Sequence, residues 1–296
     1  MGAEWWFWPL FLFFFTLLIG IISPVSGVGG GVLYVPLATV LTPFNVDFIR
    51  GAGLVMAVTS ALTSVPYLVR KGLANIRLFA VIAPIMVITS VLGGMAGLWV
   101  TNAFPSGKYY VKLLLGIIIL LVFFIMLLSK KLEFPEVKDE EIDSWSKKLG
   151  IFGEWYEPSL ERIVHYRIKN LPIGVFMFGI IGFIAGMFGL GAGWANVPLL
   201  NMIMGAPIKV ATATSMLIIT ANAPAIGIYL AKGAVLPVVI VPSILGITIG
   251  ARIGAKIAEI IKPAFVRWLV IGVLFLAGIL NIIKGLEGLG VLPHII

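Results

Sequence analysis

The sequence predicts an all-α polytopic membrane protein built from two inverted-topology repeats, each with three long helices plus a short Gly-broken helix pair. Three observations carry that prediction. Of 296 residues, 60% are hydrophobic and only 11% are charged, against about 25% charged in a soluble domain. The apolar residues form continuous runs of about the 20 residues a helix needs to cross hydrocarbon. The two halves of the chain carry the same Gly-rich motif, followed by the same landmarks in the same order. This balance excludes a soluble globular enzyme, a coiled coil and a disordered chain. The long runs exclude an outer-membrane barrel, whose strands alternate apolar and polar.

Apolar runs are expected over roughly 5–22, 30–42, 51–69, 78–104 and 109–128, then over 171–187, 194–208, 210–231, 234–251 and 264–283. The first begins without a positive segment and carries Glu4, so it reads poorly as a cleavable signal peptide. Trp5, Trp6 and Trp8 read as an aromatic belt at the bilayer surface. The second run is about 13 residues, roughly 20 Å as a helix, short of a hydrocarbon core of about 30 Å. It either crosses fully with its neighbour as a pair or re-enters with it. Both options leave an odd number of crossings per half, and an odd number turns the second half over relative to the first.

Between 130 and 170 the composition changes. This stretch holds nine of the thirteen acidic residues, a density that lipid does not accommodate. It divides the chain into a first transmembrane repeat (1–129), a polar linker (130–170) and a second transmembrane repeat (171–296). One or two short surface helices are expected in the linker, with Trp155, Tyr156, Leu160, Ile163 and Val164 as an apolar stripe on the bilayer surface or on a partner.

The repeat itself is explicit. GGGVLYVPL at 29–37 aligns with GAGWANVPL at 191–199, both fitting G-x-G-x-x-x-V-P-L. Gly27 aligns with Gly189, Tyr67 with Tyr229, Pro84 with Pro242, Gly93 and Gly97 with Gly250 and Gly254, and Gly116 with Gly272. Charge then orients it. A cytoplasmic linker places Arg70, Lys71, Arg77, Lys209, Arg252, Lys256, Lys262 and Arg267 inside. It leaves Arg50, Lys108, Lys112, Lys232 and Lys284 outside. This follows the positive-inside rule and puts both termini outside a multi-pass protein of the cell membrane.

Chemistry in such a chain rests on what interrupts the apolar runs. Gly29, Gly30, Gly31, Gly191 and Gly193 have two readings: close helix packing, or a broken helix whose freed N–H groups and positive end face a binding site. Hydroxyl and amide side chains come next. These are Thr59 and Ser60 in the first half, and Asn196, Thr214, Ser215 and Asn222 in the second. They can donate to an anion without the desolvation penalty of a full charge, or bond back to their own helix. Arg252 either reaches inward or snorkels to the surface, and Arg50 has the same two readings near the outer face. No Asp or Glu lies deep in an apolar run, which argues for an anionic or neutral cargo over a cation or proton pump.

Cysteine is absent and the two histidines, His165 and His294, lie outside the strongly apolar runs. No cofactor and no metal site is expected. An intramembrane hydrolase would need a base beside a nucleophile at depth, and the runs supply no such pair. The net charge of +8 fits basic loops and an anionic cargo better than nucleic acid. The expected partners are a small anionic substrate and the lipid bilayer, with a homodimer as a compatible assembly.

At GVGGGVLYVPL in the first half and GLGAGWANVPLLNMIMGAPIKVATATSM in the second, the sequence resembles the TauE/SafE family of sulfite and organosulfonate exporters. That family has a Gly-rich segment, V-P, a Gly-x-Pro turn and an Ala-x-x-Thr-Ser start to the next helix. Gly205, Pro207, Ala211, Thr214 and Ser215 stand at those positions here. In the first half Ala52 and Gly53 replace the Thr-Ser pair, so the two halves are not chemically equivalent. The resemblance implies export of a sulfur-containing oxyanion such as sulfite or sulfoacetate. It places the anion between the Gly breaks, with alternating access as the halves rock. A channel or importer for related anions, or a membrane scaffold, are the rival readings.

Overall fold

The computed structural model describes residues 6–128, 133–157, 161–257 and 263–293. Glu4, Trp5, Leu160, Glu259, Lys262 and His294 lie outside the described residues. The first half holds α1 (Phe7–Ser26), α2 (Gly30–Leu41), α3 (Val46–Arg70), α4 (Ile76–Ala103) and α5 (Gly107–Leu128). The linker contributes a single turn, α6 (Ser144–Lys148), and two strands, β1 (Phe152–Glu157) and β2 (Arg162–Arg167). The second half holds α7 (Leu171–Phe188), α8 (Gly193–Pro198), α9 (Ile208–Ile219), α10 (Ala223–Ala231), α11 (Pro237–Ile257) and α12 (Pro263–Gly288). Among the described residues, eight helical stretches are long and apolar enough to cross a membrane, with α9 and α10 together forming one of them.

Local chemistry sets the boundaries. Gly27 and Gly189 end α1 and α7 in the same left-handed conformation, φ 69° and ψ 12°, which glycine adopts without a Cβ penalty. Asn45 and Asn75 start α3 and α4 by accepting the N–H groups of Asp47 and Leu78. Pro198 is followed by a π turn over Leu199–Ile203. Pro224 follows a 3-10 turn over Thr220–Asn222 that divides α9 from α10. The corresponding stretches of the first half, α2 and α3, are continuous α-helix.

Each Gly break is the tip of a hairpin. Trp8 on α1 meets Phe44 beyond the end of α2, and Phe15 meets Tyr34, so α2 returns along α1. In the second half the Lys169 N–H donates to the Met204 carbonyl and the Asn170 amide to that of Ile203, so the segment after α8 returns to the start of α7. The arms are unequal: α1 has 20 residues and α2 has 12.

Glycine faces let the long helices touch backbone to backbone. Added carbons at Gly246, Gly250 and Gly254 would meet the carbonyls of Phe13, Leu17 and Ile21, so α1 and α11 run parallel. Gly93 and Gly97 meet Phe183 and Met187 in the same way, so α4 and α7 run parallel too. Gly116 meets Ile282, Gly278 meets Leu120, and Gly285 meets Leu113. That reversed order makes α5 and α12 antiparallel.

The linker differs from its expectation. Residues 152–167 form a β-hairpin, with Trp155 opposite Val164 and Tyr156 opposite Ile163, and not an interfacial helix. FGEWYE and RIVHYR are rich in aromatic and β-branched residues, and β1 buries alternate positions: Trp155 is buried and Tyr156 exposed. The hairpin sits on one end of the helices, here termed the linker end. The Asn75 amide donates to the Tyr166 hydroxyl (3.0 Å), Arg77 donates to the Gly150 carbonyl (3.0 Å), and Lys209 pairs with the buried Glu157 (2.7 Å). The loops at 42–45 and 232–236 lie at the far end.

Candidate functional site

The two Gly breaks pack against each other. A side chain at Gly31 would strike the carbonyls of Leu190 (2.6 Å) and Gly53 (2.7 Å), and one at Gly193 would run into the Val28 carbonyl. A Cβ added at Gly29 would lie 2.8 Å from Ile219 and one at Gly191 2.8 Å from Ala57, while one at Gly27 would meet Thr212 and one at Gly189 would meet Arg50. These contacts come in reciprocal pairs. The motif alignment shifts every residue by a constant step, from Gly31 to Gly193. The same step carries Val28 to Leu190, Ala57 to Ile219 and Arg50 to Thr212. A patch that contacts its own equivalent in this way obeys two-fold symmetry, and the breaks lie on that local axis. The packing reading of Gly31 and Gly193 is therefore met directly in the geometry.

Of the hydroxyl residues, Ser60, Ser215 and Thr214 are already engaged. Ser60 accepts from the Gly30 N–H (3.1 Å) and from Ser23 (3.2 Å), and donates to the Ala57 carbonyl (3.0 Å). Ser215 donates to the Gly27 carbonyl (2.9 Å), pinning α9 to the first break. Thr214 accepts the Asn75 N–H (3.0 Å). Thr59 is half-buried on α3 beside Ser60. Arg252 is exposed on α11, in the position the snorkelling reading describes.

The amides differ. Asn196 and Asn222 are fully buried, and none of their four side-chain polar atoms has a hydrogen-bond partner. The Trp194 indole N–H shares that condition. Leaving such a group unpaired costs about 1–3 kcal/mol, so most buried polar atoms in native proteins are satisfied. The repeat step carries Tyr34 to Asn196 and Ser60 to Asn222. Position 60 in the first half closes on the neighbouring break, and its equivalent in the second half does not. Both asparagines also border irregular backbone: Asn196 precedes the π turn, and Asn222 lies in the 3-10 turn. Such irregularities inside helices recur at functional sites. Each asparagine thus holds neutral donors and acceptors in a buried setting.

Of its two readings, Arg50 takes the inward one. It is fully buried, donates to the Met187 carbonyl (3.1 Å), pairs with Asp47 and lies over the Tyr229 ring at 5.6 Å. A single arginine near a helix start carries no sequence sign of burial. Trp194 lies inside the second motif and is a donor that the hydroxyl and amide candidates leave out.

The comparisons agree with this architecture. A family model described as "Sulfite exporter TauE/SafE" matches residues 12–280. A protein named "Probable membrane transporter protein YunE", from Bacillus subtilis (strain 168), is 26% identical over 278 residues, covering 91% of this chain and 96% of the relative. No solved structure gives a significant match. With a match that spans both Gly breaks and the helices on either side of them, this chain belongs to the TauE/SafE family of membrane transporters.

Proposed function

We propose that the protein exports a small sulfur-containing oxyanion, sulfite or an organosulfonate such as sulfoacetate, across the cell membrane by alternating access. The observation that carries this reading is the pair of buried, unpartnered asparagines with the Trp194 indole beside the second break. Amide and indole N–H groups donate to sulfonyl oxygens, and they avoid the cost of burying a cation. The family is described as one of sulfite exporters, which is the same class of cargo.

The two halves are inverted relative to each other. In support, α5 and its repeat equivalent α12 lie side by side and antiparallel. A two-fold axis that relates antiparallel neighbours runs across them, and so in the plane of the membrane. The linker is cytoplasmic. Arg70, Lys71, Arg77 and Lys209 cluster at the linker end, and Lys108 and Lys232 adjoin the far-end turns. An inside-negative potential then assists anion exit by about 2.3 kcal/mol per charge per 100 mV.

The test is flux of labelled sulfite and sulfoacetate in liposomes holding the purified protein, with chloride and sodium as controls. Saturable flux with counterflow is expected. Flux that is linear in concentration and without counterflow would make the protein a channel. The absence of flux from folded protein would remove the oxyanion reading.

A further inference from the structure

Arg50 carries a full charge where the fold does not require one. Its guanidinium lies at the C-terminal end of α7, where the last carbonyls need donors. The Tyr229 hydroxyl already lies 2.9 and 3.1 Å from the carbonyls of Gly186 and Met187. The repeat supplies an internal control. α1 ends with the same backbone angles at Gly27 as α7 does at Gly189. There the residue equivalent to Arg50 is Thr212, whose methyl and backbone pack on Gly27, and no cation is used. Asp47 has Lys209 as its equivalent, which pairs with Glu157 of the linker. The same joint is thus built once without a buried charge and once with a buried ion pair, and burying an ion pair gives little net stability.

The pair is also incompletely satisfied. The Arg50 Nε–H is buried and has no acceptor, although Arg50 is fully buried and Asp47 keeps a side-chain exposure of 19%. A guanidinium offers a planar fork of donors that matches an oxyanion. We propose that Arg50 is an anion-binding residue for the cargo on the far side of the Gly breaks, held by Asp47 in this conformation and transferred to the cargo's oxygens as α3 and α7 separate. This rests on the oxyanion reading above and gives it a specificity determinant: the asparagines take any polar oxygen, whereas Arg50 selects negative charge. Asp47 acts as the competitor that keeps the cation neutralised between cargoes.

The experiment compares the parent with Arg50→Thr, Arg50→Lys and Asp47→Asn in sulfite and sulfoacetate flux, with thermal unfolding of each in detergent. Arg50→Thr copies the residue that the other half uses at this joint, so it is expected to fold. It should lose saturable anion flux by at least about tenfold, the scale of one charge-assisted hydrogen bond, and Arg50→Lys should restore part of it. Asp47→Asn removes the competitor and should lower the half-saturating anion concentration, by up to about tenfold on the same scale. Unchanged half-saturation in Asp47→Asn, with wild-type flux in Arg50→Thr, would overturn the proposal while leaving oxyanion export standing. If Arg50→Thr does not fold, Asp47→Asn alone decides. A parent without oxyanion flux would remove the broader reading itself.

Discussion

At Gly193 one added methyl group meets backbone, and backbone cannot move aside as a flexible side chain can. The Val28 carbonyl occupies that space, so Gly193→Ala forces the two breaks apart. Overpacking of this kind costs about 1–3 kcal/mol, and a lower unfolding temperature with less folded protein is the expected outcome. Gly227 meets nothing within 4 Å and lies inside α10. Gly227→Ala should therefore leave stability equal or raise it by about 0.5–1 kcal/mol, as measured in the same unfolding assay. The contrast separates packing glycines from neutral ones. It also shows why a bulky substitution at Gly193 is a poor probe of cargo binding. At this scale the sequence disclosed donor types but not their partners. Thr214 and Ser215 are the right chemistry near the right place, yet their hydroxyls hold Asn75 and Gly27, which are remote in the chain. Asn196 and Asn222 were equally legible as donors. Only the fold reveals that they are left without partners.

Elements were legible where a period or a breaker decided them. The long apolar runs, the Gly breaks and the turns before α3 and α4 follow from hydropathy, Gly, Asn and Pro. The hairpin of the linker was not, because its apolar residues also fit a helix stripe and its charged neighbours suggested a solvated surface. That linker is fastened by identifiable groups, and two expectations belong to it. Removing the Tyr166 hydroxyl leaves the buried Asn75 amide without its partner. Tyr166→Phe should therefore cost about 1–3 kcal/mol and raise protease cleavage within 133–157. Asp143 joins α6 to α7 by accepting from Ser146 and from the Leu171 N–H. Burial raises its pKa, but those hydrogen bonds outweigh it and hold the carboxyl below its usual range. A lowered folded pKa makes the contribution fully present above the unfolded value, about 3.9. It is lost as pH falls through the lower folded value. Linker docking, followed by limited proteolysis, should weaken only on acidification below about pH 4. Asp143→Asn should reduce that acid dependence.

For the whole molecule, the reciprocal contacts at the breaks and the antiparallel α5 and α12 support the proposed inverted relation of the two halves. The repeat supplies the order of equivalent residues. It could not give the asymmetry: a Ser60 closed on one break against an open Asn222, and a buried Arg50 against Thr212. Those differences arise from contacts between halves, which no single stretch of sequence displays. The chain has no cysteine, so introduced cysteines report orientation cleanly. Lys147→Cys on the linker should react with an impermeant thiol reagent only in inside-out vesicles, and Lys108→Cys only in intact cells. The reverse pattern would place the linker outside.

The most direct test of a cargo site at the centre sets stability against transport in one preparation. The side chain of Asn222 has no protein partner, so Asn222→Leu, close in size and apolar, should leave the unfolding temperature equal or higher. It should also abolish saturable sulfite and sulfoacetate flux in liposomes. Full flux in Asn222→Leu would contradict the account, and so would a fall in stability of the size seen when a paired amide is lost.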